Sequence, residues 1–72
     1  MNEITVTMRY EDESGVSVLM WFDDDARQFM RENGVVNPTV FGFRDEDGAT
    51  VVIPVSRVYS ITASPALVEE LT

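Results

Sequence analysis

From Glu3 to Tyr10 the chain alternates, with Ile4, Val6, Met8 and Tyr10 on one side and Thr5, Thr7 and Arg9 on the other. A period of two marks a half-buried strand, and β-branched threonine suits its wet face. Glu11-Asp12-Glu13-Ser14-Gly15 then supplies turn chemistry, with Gly15 available for a positive φ. A second strand is predicted over 16–22, with Val16, Val18, Met20 and Phe22 on one face and Ser17, Leu19 and Trp21 on the other. Apolar residues on both faces imply a central strand or a covered outer face.

Asp23-Asp24-Asp25 opens a short predicted helix. Asp25 followed three residues later by Gln28 fits a capping box, with Asp23 and Asp24 as alternative caps, and carboxylates there face the positive end of the helix dipole. Ala26, Phe29, Met30 and Asn33 share one face, and Gly34 sits where a helix C′ residue belongs. Val35-Val36-Asn37-Pro38 reads as a connector in which Pro38 holds Asn37 extended. A third strand over 39–44 leads to an Asp45-Glu46-Asp47-Gly48 hairpin, and Asp-Gly is the strongest short turn signal present. The fourth strand covers 49–55, and Pro54 marks its end as an edge or a break. After a turn at Ser56-Arg57, a fifth strand spans 58–62. Ser64-Pro65 combines an N-cap with proline at the first helical position, giving a candidate helix over 65–71 with Leu67 and Leu71 on one side.

The order ββαβββ predicts an α+β fold in one small single domain spanning 1–72. Its expected form is a curved antiparallel five-stranded sheet, or a partly open barrel, with one helix packed on it and a short C-terminal helix. A chain of 72 residues has room for one core, and its stability is marginal unless a partner or second copy covers more apolar surface. No basic segment followed by an apolar one opens the chain, and the longest apolar run, Val18 to Phe22, is too short for a bilayer. The expected compartment is therefore cytoplasmic, without a membrane partner.

Charge changes this picture. Nine of thirteen carboxylates fall in three triplets, Glu11-Asp12-Glu13, Asp23-Asp24-Asp25 and Asp45-Glu46-Asp47, and the net charge is −8. Such patches repel a phosphate backbone and attract a basic protein. Turn-forming and solubilising roles explain the same residues without a partner. In its sharper form the acidic reading is DNA mimicry, with carboxylates standing in for phosphates on a nucleic-acid-binding protein. Trp21, Tyr59 and Leu19 are apolar outliers that anchor a partner or a second copy if the second face of the sheet is uncovered; in so small a chain, cover by a helix is expected. Arg57 beside Tyr59 and near Pro54 marks a further edge contact.

Candidate chemistry is sparse. Without cysteine, histidine or lysine there is no thiolate metal site, no imidazole base and no Schiff base. An EF-hand loop starting at Asp45 needs glycine where Thr50 stands and glutamate where Ser56 stands, and the frame starting at Asp23 ends on Gly34. Phe41-Gly42-Phe43 resembles the core of the RNP1 motif of RNA-recognition and cold-shock domains, which implies base stacking on a strand. The preceding basic residue is missing, Arg44-Asp45-Glu46-Asp47 follows, and ββα is not the βαβ start of an RNA-recognition domain, so the two phenylalanines are assigned to the core.

The expectation is a non-enzymatic acidic module, an inhibitor or accessory protein of phage or mobile-element type, that docks on a larger basic protein. It has no catalytic, cofactor or metal residues and no direct nucleic-acid contact. The alternative is a homo-oligomeric structural subunit joined through sheet edges or an apolar face.

Overall fold

The computed structural model describes residues 2–34 and 37–72. Its elements are β1 (Thr5–Asp12), β2 (Gly15–Phe22), α1 (Asp23–Asn33), β3 (Val40–Arg44), β4 (Thr50–Pro54), a 3-10 turn at Val55–Arg57, β5 (Val58–Ala63) and α2 (Pro65–Leu71). The class is α+β with antiparallel sheets and two helices, as expected. The strands, however, divide into a three-stranded sheet ordered β2-β1-β5 and a two-stranded ribbon β3-β4, instead of one five-stranded sheet or barrel. The physical reason lies in α1: it packs on β1, β2 and β3, so the ribbon meets the first sheet through the helix and side chains rather than by strand-to-strand pairing.

β1 is the central strand. Its even-numbered side chains run inward, and Val6 and Met8 are fully buried with Ala26 and Leu67. β2 is an edge strand, which corrects the expectation of a central position or a covered outer face. The register Thr5↔Phe22 to Asp12↔Gly15 turns Ser17, Leu19 and Trp21 to the core side and leaves Val16, Val18, Met20 and Phe22 outside.

Trp21 and the phenylalanines form one aromatic cluster. Trp21 stacks on Phe29 at 4.2 Å, meets Phe43 edge-on at 5.1 Å, and Phe29 lies 6.4 Å from Phe41. Phe41 and Phe43 are thus spent on packing, as assigned, with Ile53 and Val51 beside them in the ribbon.

Several local expectations change. No aspartate side chain caps α1: the N-cap is Phe22, and Gln28 donates to Glu32 Oε1 at 3.0 Å instead of closing a box. Asp23 takes φ 51 because strand passes into helix without a connector, and its N–H still donates to the Ile4 carbonyl at 2.9 Å. Gly34 has φ −81, so it is not a left-handed cap; a Cβ there would stand 2.4 Å from the Met30 carbonyl oxygen. Asn37 has φ 56, not the extended conformation expected before Pro38; asparagine tolerates the left-handed region better than other side chains. Val35 and Val36 of the expected connector lie outside the described residues. Ser64 is the N-cap residue of α2, but its hydroxyl accepts from the Thr5 N–H at 3.1 Å, tying α2 to β1. Leu67 is buried, whereas Leu71 stays half exposed at the open end of α2. Gly15 and Gly48 do take the positive φ values that their hairpins require.

Candidate functional site

Two of the three acidic triplets have a member that holds its own turn. Asp12 accepts from the Ser14 N–H at 2.8 Å, from the Ser14 hydroxyl and from the Ser17 hydroxyl. Those donors, Ser17 first, hold the Asp12 carboxyl below the usual aspartate range. Asp45 accepts from the Asp47 and Ala49 N–H groups, both at 2.9 Å, which fixes the β3–β4 hairpin. Asp24 pairs with Arg27 at 2.8 Å.

Arg27 also grips Glu70 with two parallel hydrogen bonds of 2.9 and 3.0 Å, fastening α1 to α2. The hydrogen bonds to Glu70 and then Asp24 raise the guanidinium pKa, and Arg27 in turn lowers that of Glu70. Glu11 accepts from the Tyr59 hydroxyl at 2.6 Å, and this bond and the neighbouring negative charge push the phenol pKa up.

The remaining members, Glu13, Asp23, Asp25, Glu46 and Asp47, are exposed and make no side-chain hydrogen bond or ion pair as acceptors among the described residues.

Members of two of the three triplets converge. A groove of about 350 Å³ separates the first turns of α1 from the β3–β4 hairpin, with Asp25, Gln28 and Glu32 on one wall and Phe43, Arg44, Asp45 and Glu46 on the other. Trp21 and Phe29 form its apolar lining. The third triplet lies elsewhere: Glu11, Asp12 and Glu13 line a separate cleft of about 520 Å³ with Tyr10, Pro54 and Arg57. Of the expected partner-binding residues, Trp21, Asp25, Asp45 and Glu46 therefore meet in one groove, while Glu11, Asp12, Glu13 and Arg57 meet in the other. Tyr59 is exposed and joins the second group only through Glu11. Asp23 and Asp24 do not line the first groove, Asp24 being paired with the Arg27 that holds Glu70 on α2, and Asp47 stands at the hairpin tip.

Two features had no sequence signal strong enough to find them. The Arg27–Glu70 pair links residues 43 apart in sequence. The Asn33 amide donates to the Gly42 carbonyl at 2.8 Å and accepts from the Gly42 N–H at 2.9 Å, so a helix-end asparagine acts as a strand partner for β3. Among the described residues no group of Asp and Glu is placed to hold a metal ion, and no helix is long and apolar enough to cross a membrane. Comparison of the chain with protein-family models, with curated proteins and with solved structures finds no match.

Proposed function

We propose that this chain is a non-catalytic binding module that takes a basic segment of another protein, an arginine-bearing loop or peptide, into the groove between α1 and the β3–β4 hairpin. The observation that carries this reading is the convergence of Asp25, Glu32, Asp45 and Glu46 around the half-buried rings of Trp21 and Phe43. An arginine suits such a groove because its planar guanidinium pairs with carboxylates and stacks on aromatic faces. Arg44 is the one cation on the walls, so the groove retains an excess of negative charge.

DNA mimicry would demand a continuous row of acids. The Glu11–Glu13 turn stands at the opposite end of β2 from Asp23–Asp25, a separation of about 25 Å for a strand of this length. A local basic segment therefore fits the distribution of charge better than a groove built for duplex DNA.

Trp21 is the sole tryptophan and reports on the groove directly. Titration with a synthetic arginine-rich peptide is expected to shift its fluorescence, with affinity falling between roughly 0.1 and 1 M salt as the Debye length drops from about 10 to 3 Å. Asp25→Asn and Glu46→Gln are each expected to weaken binding roughly two- to fivefold, the range for single exposed ion pairs. Binding that is insensitive to salt and to both substitutions, or no binding, would overturn the proposal.

A further inference from the structure

The free strand edges of this fold are not equivalent. β5 carries an irregularity opposite Arg9 and Tyr10, with Tyr59 left out of register. β4 is short and ends on Pro54, and the Gly42 N–H and C=O on β3 are taken by Asn33. Bulges, prolines and side-chain cover are the usual ways in which edges are protected from pairing. β2 has none of them. Its eight residues contain no charge and no proline, and its register with β1 is unbroken.

The same strand carries the largest exposed apolar stripe. Val16, Val18, Met20 and Phe22 are 57, 54, 49 and 52% exposed, all on the outward face. In a hairpin whose closing pair is Asp12↔Gly15, the odd-numbered residues of β2 bond to β1, and the even-numbered ones turn N–H and C=O to the free edge. The Asp23 N–H bonded to the Ile4 carbonyl continues that parity. Among the described residues, backbone without a strand partner and uncovered side chains thus belong to the same four residues.

We infer that β2 pairs antiparallel with β2 of a second copy of this chain, about a twofold axis at Leu19, joining two three-stranded sheets into one of six strands. That register sets Val16 opposite Phe22 of the other copy and Val18 opposite Met20, using all four outward residues twice. The stripe offers no charge for a basic partner to read, while an identical uncharged strand matches it residue for residue in an isologous contact.

Each end of the joined strands brings Glu13 of one copy towards Asp23 of the other, so salt strengthens the pairing. The groove proposed above responds to salt in the opposite sense, which keeps the two proposals separable. Sedimentation equilibrium at roughly 0.1 and 1 M salt is expected to show a dimer that tightens with salt. In the dimer, hydrogen exchange should find the Val18 and Met20 amides protected along with those of Leu19 and Trp21. Val18→Lys, at an exposed site, is expected to abolish the dimer while leaving the circular dichroism of the monomer intact. A wild-type protein that stays monomeric at high salt would overturn the inference. So would a dimer in which the Val18 and Met20 amides exchange freely, a readout that needs no variant.

Discussion

Asn33 joins two parts of the molecule that, among the described residues, share no backbone hydrogen bond. The β3–β4 ribbon has only its own pairing, and an isolated two-stranded hairpin is barely stable in water. Packing of Phe41, Phe43, Val51 and Ile53 holds it by hydrophobic contact, which lacks direction, while the Asn33 amide fixes its position along α1 through both polar groups of Gly42. In Asn33→Ala these two bonds and the one from Nδ2 to the Phe29 carbonyl are lost, and the half-buried Gly42 N–H and C=O lose their partner. At about 1 kcal/mol for each net hydrogen bond, less about 0.5 kcal/mol regained from the better helix propensity of alanine, the expected loss is about 2–3 kcal/mol. A domain of this size has about 4–10 kcal/mol in total, so the urea midpoint should fall by roughly a third. Asn33→Asp keeps the acceptor for the Gly42 N–H but sets a carboxylate against two carbonyl oxygens, and should be at least as damaging at neutral pH. Urea unfolding followed by Trp21 fluorescence and by circular dichroism checks both, since Trp21 touches the Phe43 ring on the ribbon. A loss below about 0.5 kcal/mol for Asn33→Ala would show that apolar packing alone positions the ribbon.

Gly34→Ala should destabilise by about 1–3 kcal/mol in thermal unfolding, because its Cβ would overlap the Met30 carbonyl even though φ is ordinary for any residue. Phe29→Ala removes the ring that both Trp21 and Phe41 approach and should cost about 3–5 kcal/mol, roughly half of the total, seen as a large fall in melting temperature. Asp12 and Glu70 both have folded pKa values below their ordinary 3.8 and 4.5. The stability they contribute is therefore complete above those values and is lost as pH falls through the lower folded ones. Melting temperature should decline on acidification below pH 4.5, and Asp12→Asn or Glu70→Gln should each flatten part of that decline; an unchanged acid profile in both variants would contradict the assignment.

The strands and both helices were legible because their signals are local. Alternation from Ile4 to Tyr10, Asp47-Gly48 in the hairpin and Ser64-Pro65 before α2 each act within a few residues. The split into two sheets was not legible, because it depends on α1 lying between β2 and β3 and on Asn33 taking the place of a strand. For β2, the two apolar faces were visible but not which one is covered. Val18 and Leu19 are equally suitable for a core, and only the register with Met8 assigns Leu19 to it. Similarly, the triplets were visible as charge, but their separation into one groove holding Asp25, Asp45 and Glu46 and another holding Glu11–Glu13 follows from three-dimensional placement.

The central strand of the larger sheet comes first in the chain, and one of its neighbours comes last. The β1–β2 and β3–β4 hairpins close over a few residues, but Val6 does not meet Ala63 until every strand between them in sequence is available. Folding must therefore close a long loop at its end, and topologies of this kind fold more slowly than local ones. Until β5 arrives, β1 is itself an open edge, and Ile61 and Ala63 are missing from the face that covers Met8 and Val6. A chain cut before Val58 would retain both hairpins and α1 yet expose the strand that should be its centre, so truncation at this end should produce aggregation in place of a smaller stable fold.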